Sequence, residues 1–291
     1  MSRPGPMAVG DLIRGLPGLE LRGDERVMVS GIAYDSRKVK LGDLFAAIPG
    51  ASEDGARYIP SALAAGAAAV LSASQPGPLP VPLIVAPEVR LCLGNLAGRF
   101  FGHPDHRLEL TGITGTNGKT TISYLIESIL TAAGHRTGVI GTIAYRFGAE
   151  RRPAPVTTPE SVDLFELLAW MLEAGADHAV MEISSHALDQ KRVAGLRIKN
   201  AVFTNFSRDH LDYHRGLEDY YQAKKKLFAE VIRGRWAADA PSSDLPARAA
   251  INLDDERGAR LFSELRGIGL EAWGYGVKSD QAEVRAHDIE I

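Results

Sequence analysis

The stretch Gly112-Ile113-Thr114-Gly115-Thr116-Asn117-Gly118-Lys119-Thr120-Thr121 constrains this chain more than any other. It falls between a predicted strand, Leu108–Thr114, and a predicted helix whose apolar residues Ile122, Leu125, Ile126, Ile129 and Leu130 recur at helical spacing, with Gly134 as its stop. A glycine-rich turn in that position lets successive N–H groups curl toward phosphate oxygens. The helix N-terminus adds partial positive charge. Lys119 can reach β- and γ-phosphates, and the Thr120 hydroxyl can ligate Mg²⁺. The strict phosphate-loop spacing misses by one position, since its first glycine would fall on Ile113. Against a plain Gly-rich turn with a surface lysine, Gly-Lys-Thr-Thr opening a helix favours a nucleoside triphosphate site. Its residues are Gly115, Thr116, Asn117, Gly118, Lys119, Thr120 and Thr121.

The chain after this loop keeps the same rhythm. Strands are expected over Thr137–Ile143, His178–Ile183, Asn200–Asn205 and Ala249–Asn252. Helices are expected over Leu164–Leu172, Leu217–Ile232 and Asp255–Arg266, with Thr158 able to cap the first and Pro159 fitting its first turn. Such alternation implies a largely parallel sheet with helices on both faces, and ligands then bind beyond the C-terminal strand ends. Earlier in the chain, Val27–Ile32, Asp43–Ile48, Ala69–Ser72 and Val81–Ala86 read as strands. Tyr58–Ala68 and Val89–Phe101 read as helices, closing at Gly102-His103-Pro104. The fold class is therefore α/β: a small α/β N-terminal domain over 1–104, then a phosphate-loop-type, mostly parallel sheet with flanking helices over 105–291. Two domains suit 291 residues at about 150 per domain.

Composition excludes several classes. With 33 Lys plus Arg against 36 Asp plus Glu, the formal net charge is −3, so no basic footprint for nucleic acid exists. Hydrophobic content of 45% with 24% charged residues is ordinary for a globular chain. Cys92 alone cannot build an internal disulfide framework or a Cys-rich zinc site. Met1–Pro6 lacks the apolar core of a signal peptide, and Ala62–Ala73 is far short of the ~20 apolar residues a membrane span takes. A soluble, cytoplasmic protein without membrane insertion is expected.

The Gly115–Thr120 loop resembles that of the Mur ligases and the related folylpolyglutamate synthases. Four further blocks narrow the resemblance: Asp35-Ser36-Arg37 followed by Gly42-Asp43-Leu44-Phe45; Thr157-Thr158-Pro159; Met181-Glu182-Ile183-Ser184-Ser185-His186; and Thr204-Asn205-Phe206-Ser207-Arg208-Asp209-His210-Leu211-Asp212-Tyr213-His214. Together they resemble the Mur ligases that add the third amino acid to UDP-MurNAc-L-Ala-D-Glu. The resemblance runs from Tyr34 to the last residue, and Ser207–His214 is its most specific part. It implies an ATP-dependent, ADP-forming amide ligase of peptidoglycan precursor synthesis. The substrate carboxylate takes the γ-phosphate of ATP to give an acyl phosphate. An amino group, from meso-diaminopimelate or L-lysine, then displaces phosphate. The implied partners are UDP-MurNAc-L-Ala-D-Glu, ATP as co-substrate and the amino acid. The implied cofactor is Mg²⁺ at two sites, in a monomer whose first domain binds the UDP-sugar.

Glu182 follows a strand on the sheet edge that carries the loop, and a carboxylate is a hard oxygen ligand suited to Mg²⁺. His210, between Asp209 and Asp212 past the next strand, is by pattern either a satisfied surface residue or a ligand; the resemblance implies a second Mg²⁺ ligand. The run Lys224-Lys225-Lys226 reads by pattern as a solvated helix face. The resemblance instead picks out Lys224 as a lysine carbamylated by CO₂, N6-carboxylysine, with Lys225 and Lys226 on the surface. The implied metal ligands are thus Thr120, Glu182, His210 and the Lys224 carbamate, and the implied catalytic residues are Lys119, Lys224 and His210. Thr157, Thr158, Ser184, Gln190 and Arg192 offer donors past neighbouring strands. Read plainly, Thr158 is a cap, Ser184 a turn and Arg192 an ion pair. The resemblance implies that all five bind the muramoyl dipeptide, with the Arg192 fork on a carboxylate. Tyr34 and Ser36 match positions that contact the UDP-sugar, with Asp35 and Arg37 pairing locally. The Gly50–Gly55 loop, including Ala51, Ser52 and Glu53, matches another uridine-side contact.

The sequence ends Ala286-His287-Asp288-Ile289-Glu290-Ile291, strand-like and without a stop signal. The resemblance implies a further C-terminal domain that selects the amino acid and closes over ATP. Binding without turnover is the expectation for this polypeptide alone. The competing readings are another Mur ligase or a folylpolyglutamate synthase, a nucleotide-binding module that makes no bond, and a fragment too incomplete to fold.

Overall fold

The computed structural model describes residues 4–50, 54–74, 77–239 and 247–289. Its first part runs β1 (Met7–Ala8), α1 (Val9–Ile13), β2 (Glu20–Arg22), β3 (Met28–Val29), β4 (Gly31–Ala33), β5 (Asp43–Ala47), α2 (Ile59–Ala64), β6 (Ala69–Ser72), β7 (Leu83–Val85) and α3 (Val89–Phe100). β1 and β3 form a small antiparallel ribbon. The other strands make a five-stranded sheet of order β2-β7-β6-β5-β4, in which only β2 runs antiparallel.

The second part continues with β8 (Glu109–Thr114), α4 (Lys119–Ala132), β9 (Thr137–Ile140), β10 (Tyr145–Phe147), β11 (Glu150–Arg152), α5 (Ser161–Glu173), β12 (His178–Glu182) and α6 (Ser185–Asp189). It closes with β13 (Asn200–Phe203), α7 (Leu217–Lys226), β14 (Arg248–Asn252), α8 (Glu256–Gly267), β15 (Glu271–Gly276) and β16 (Val284–Arg285). These strands form a nine-stranded sheet, β11-β10-β9-β12-β8-β13-β14-β15-β16, parallel except for the β9–β10–β11 edge. From β8 the chain winds one way to β9 and β12, then crosses to β13 on the other side. The loop after β8 therefore lies where the winding reverses, and there a crevice opens at the strand ends.

Helices cover both faces of this sheet. On one, Ile122, Ile126 and Leu130 of α4 pack on Ile113, Val139 and Val180. Leu125 and Ile129 follow the same helical period but stay 56% and 67% exposed, because they sit on the flank of the stripe that faces the sheet. On the other face, α5 packs Leu164, Leu168 and Met171 into a core with Leu110, Ile140 and Met181. Each such leucine, fully buried, contributes roughly 1.5–3 kcal/mol. α3 belongs to both parts, touching α5 on one side and β5 and β6 on the other. Among the described residues, no helix is long and apolar enough to cross a membrane.

Several elements depart from the sequence expectations. Val27–Ile32 is not one strand: it breaks at Ser30 into β3 and β4, which join different sheets. Thr137–Ile143 stops at Ile140, and the next residue, Gly141, leaves room for the Glu182 carboxylate, which a side chain there would overlap. The helix expected over Tyr58–Ala68 is α2 alone, preceded by a 3-10 turn at Gly55–Tyr58 and ended at Gly66 (φ +94°). Thr158 and Pro159 do not open α5, whose cap is Glu160. Helix α7 gives way at Leu227–Val231 to a wider turn. The hairpin β10–β11, the short α6 and strand β15 are additional.

Candidate functional site

The phosphate loop is shaped by its glycines and by the end of β13. Gly115 (φ +148°) and Gly118 (φ +83°) take backbone that L side chains rarely adopt. A Cβ on Gly115 would overlap the Thr204 hydroxyl. That hydroxyl donates to the Asn117 carbonyl at 2.6 Å, and Asn205 receives the Asn117 N–H on Oδ1 at 2.9 Å. Thr116 Oγ1 accepts from Ser207 N at 3.0 Å and meets Tyr220 OH at 3.2 Å. Thus the segment after β13 holds the loop after β8, and α4 starts at Lys119.

Four expected residues converge on this loop. Lys119 Nζ donates to the Gly115 and Thr116 carbonyls at 2.9 Å each. Lys224 Nζ donates to the same Gly115 carbonyl at 2.7 Å and lies 4.4 Å above the Tyr220 ring. Lys224 is 1% exposed, so it is no solvated face: burial, then the nearby Lys119 charge, holds its amine well below the ordinary lysine range. Burial lowers Lys119 as well. Thr120 Oγ1 donates to Glu182 Oε2 at 2.9 Å. Buried Glu182 also accepts from Thr142 N at 3.1 Å and Thr142 Oγ1 at 3.0 Å. Asn117, Gly118 and Thr121 are exposed at the mouth of the loop.

His210 stands apart from that contact network. It takes left-handed backbone (φ +53°), and its Nε2 lies 3.6 Å from Asp209 Oδ2. Its ring faces His186 at 4.9 Å and Tyr220 at 5.8 Å. Its link to the loop runs through Tyr220 and Asp209, whose charge acts on both Lys119 and Lys224. Lys225 and Lys226 are half-buried in ion pairs with Glu264 and Asp189, each at 2.8 Å.

A second group is tied to the backbone of Glu182. Thr158 Oγ1 donates to Glu182 O at 2.9 Å and accepts from Ser184 N at 3.1 Å, which explains why it does not cap α5. Thr157 Oγ1 meets Thr142 Oγ1 at 3.1 Å. Ser184 does cap, but for α6, accepting from Ala187 N at 3.2 Å. Arg192 donates to Thr158 O at 3.1 Å and holds Gln190 Oε1 at 2.7 and 3.0 Å. It also lies 3.4 Å from Glu160, whose buried Oε2 has no hydrogen-bond partner.

The third group lines a cavity of about 470 Å³ formed by Tyr34, Asp35, Ser36, Arg37, Phe45, Ile48, Gly55 and Tyr58. Asp35 and Arg37 do pair locally, at 2.8 and 2.9 Å. Tyr34 OH donates to Asp163 of α5, joining this cavity to the other sheet. Ala51, Ser52 and Glu53 lie outside the described residues.

Thr142, Asn205, Glu160, Asp163 and Tyr220 also shape these groups and escaped the sequence reading. Thr142 and Asn205 follow β9 and β13, so the strand-end rule could have found them. Tyr220 precedes Lys224 by one helical turn, a spacing that places both on one face.

Strand, glycine loop and helix at a switch point, with a buried carboxylate on the adjoining strand, define a phosphate-loop nucleotide-binding α/β protein. Residues 113–291 match the Mur ligase middle domain, and residues 28–91 match the Mur ligase family, catalytic domain. A Geobacter sulfurreducens UDP-N-acetylmuramoyl-L-alanyl-D-glutamate–2,6-diaminopimelate ligase is 43% identical over 97% of this chain and 54% of its own length. The ligase of the same name from Clostridium perfringens is 36% identical over 98% and 56%. A solved structure of a ligase of that name superposes with a TM-score of 0.80 at 29% identity, covering 97% of this chain and 55% of the other. The chain belongs to the Mur ligase family and is of the MurE type. It spans about half the length of the curated relatives it matches.

Proposed function

We propose that the chain forms the UDP-sugar-binding (1–104) and ATP-binding (105–291) parts of an ATP-dependent ligase of the cytoplasm. That ligase joins 2,6-diaminopimelate to UDP-MurNAc-L-Ala-D-Glu in peptidoglycan synthesis. The observation that carries this reading is the shared Gly115 carbonyl, which gathers the Lys119 and Lys224 amines beside the Thr120–Glu182 pair. The loop N–H groups and Lys119 would hold the triphosphate and offset the repulsion between two anions brought together. This positioning and charge stabilisation are the main levers in phosphoryl transfer.

A hydroxyl and a buried carboxylate 2.9 Å apart are a hard-oxygen donor set, which fits Mg²⁺ at Thr120 and Glu182. When bound, Mg²⁺ would screen the phosphate charge. The buried neutral Lys224 amine is the form that attacks CO₂; the new N–C bond and loss of one proton would give a carbamate, an anionic oxygen ligand in place of an amine. His210, beside Asp209, would be a further ligand. Thr157, Thr158, Ser184, Gln190 and Arg192 would hold the dipeptide, and Tyr34 and Ser36 the uridine side.

Thermal-shift titration tests the reading. UDP-MurNAc-L-Ala-D-Glu and Mg-ATP should each raise the melting temperature, folates should not, and the chain alone should release no ADP. Stabilisation by Mg-ATP without any response to the UDP-dipeptide would refute the ligase reading in favour of a nucleotide-binding module.

A further inference from the structure

Between α3 and β8 the chain makes one 3-10 turn, Pro104–His106, entered through His103 in left-handed backbone (φ +50°). Three side-chain atoms there are buried without a hydrogen-bond partner: His103 Nδ1, Asp105 Oδ1 and His106 Nε2. Each such orphan costs about 1–3 kcal/mol, and three in one turn call for a common partner. The three residues offer ligand atoms that all lie within 4.8 Å of one another. His103 Nδ1 is 3.7 Å from Asp105 Oδ1, and His106 Nε2 is 3.7 Å from Asp105 Oδ2. The two imidazoles stack with centroids 4.4 Å apart, each with one ring nitrogen near the Asp105 carboxylate.

The surroundings fix which atoms face inward. His103 Nε2 lies 3.3 Å from Asp239 Oδ2, and Arg99 holds Asp239 at 2.5 and 2.7 Å. With a carboxylate on that nitrogen, Nδ1 is the ring atom left to face Asp105 Oδ1. That pairing calls for a positive charge between the two atoms, either a proton on Nδ1 or a metal ion. Asp105 is 1% exposed, and its Oδ2 accepts from Arg197 N at 2.8 Å, so it cannot swing away. A second group, His135, Asp177 and His178, has matching residue types but different physics. Its atoms satisfy one another at 2.8 and 3.5 Å, and half of the Asp177 side chain is exposed.

We propose that His103, Asp105 and His106 form a binding site for a divalent transition-metal ion of the zinc class, which fastens the turn between the two sheets. Two imidazole nitrogens and one carboxylate oxygen suit such an ion better than Mg²⁺. Ligands at 2.0–2.1 Å around a tetrahedral ion lie about 3.3 Å apart; the two histidines stand 3.7 Å from different oxygens of Asp105 and all three ligand atoms lie within 4.8 Å of one another, so the group must draw together around the ion. The ion would tie the end of α3 to the loop before β13 through Asp105 and Arg197, away from the phosphate loop and its Glu182.

The test uses the whole chain stripped with a chelator, titrated with Zn²⁺ against a chromophoric competitor and with Co²⁺ as an absorbing substitute. One tight equivalent is expected, giving visible Co²⁺ bands and a higher melting temperature. His106→Ala and Asp105→Asn should each weaken it more than tenfold, while His178→Ala and Glu182→Gln keep it. Far-UV circular dichroism of the metal-free variants separates loss of the site from loss of the fold, and His106→Ala, half at the surface, serves if Asp105→Asn does not fold. No tight equivalent in the parent chain, or an equivalent that survives in folded His106→Ala, would overturn the proposal; the pair would then be a proton-sharing His–Asp cluster.

Discussion

Lys224→Met probes the charge state of the amine at the centre of the phosphate-loop network. Four groups face Lys224 Nζ: the Gly115 carbonyl, the Tyr220 ring from its own helix, the Lys119 ammonium from α4, and Asp209 beyond β13. Burial first, and Lys119 second, lower its pKa, with Asp209 opposing. In the unfolded chain a lysine keeps a pKa of about 10.4. Between the depressed folded value and about pH 10, the unfolded chain therefore holds a proton that the folded chain does not. Folding stability then rises with pH through this window and falls as pH is lowered, by up to about 1.4 kcal/mol per unit. Methionine fills a similar volume without titrating and forfeits one hydrogen bond, worth about 1 kcal/mol. The variant should be about 1 kcal/mol less stable than the parent near pH 10. As the pH falls the gap should close and then reverse, changing by up to about 1.4 kcal/mol per unit wherever the folded amine stays unprotonated, so the two profiles cross. Urea unfolding followed by circular dichroism from pH 7.5 to 10, in CO₂-free buffer, measures both; titrations remote from Lys224 cancel in the difference, and those coupled to it, at Lys119, Asp209 and His214, are part of the effect. Parallel profiles, with the variant below the parent throughout, would show that the amine stays protonated.

Two other substitutions test neighbouring links. Gly115→Ala forces a side chain into backbone at φ +148° and against the Thr204 hydroxyl, displacing its bond to Asn117. A loss of about 2–4 kcal/mol in urea unfolding is expected, together with loss of the Mg-ATP thermal shift, whereas an unchanged melt would contradict the geometry. Tyr34→Phe removes the only side-chain hydrogen bond shown between Tyr34 and α5 and leaves the Asp163 carboxyl, already raised by burial, without that donor. It should cost about 1–3 kcal/mol, and full recovery in Tyr34→Phe/Asp163→Leu would assign the cost to the stranded carboxyl.

What the sequence revealed followed the physics of local pattern. The β8–loop–α4 unit was legible because Gly115, Gly118 and Lys119 serve one backbone purpose, and Glu182 because it ends a continuous apolar strand. Asp255 was legible as a cap, and it does accept from Gly258 N at 2.9 Å. The misses arose where tertiary contacts overrode local signals. Thr158-Pro159 looks like a helix start, but the Glu182 carbonyl takes the threonine hydroxyl and moves the cap to Glu160. Strands β10 and β11 have three residues each, too few for an alternation to stand out, and the edge strand β11, Glu150-Arg151-Arg152, is wholly charged. Helix α6 has five residues, too few for a period to emerge. Lys224 sits among like residues, and only the packing of α7 distinguishes the one that is buried.

Helix α5 meets the Tyr34 cavity through Asp163, while the residue before its first turn, Glu160, lies 3.4 Å from both Arg90 and Arg192. The first turn of α5 thus ties the Tyr34 cavity to the Thr158–Arg192 group. The ligand of the proposed function, reaching across both, would meet the two groups at a separation fixed by that one turn.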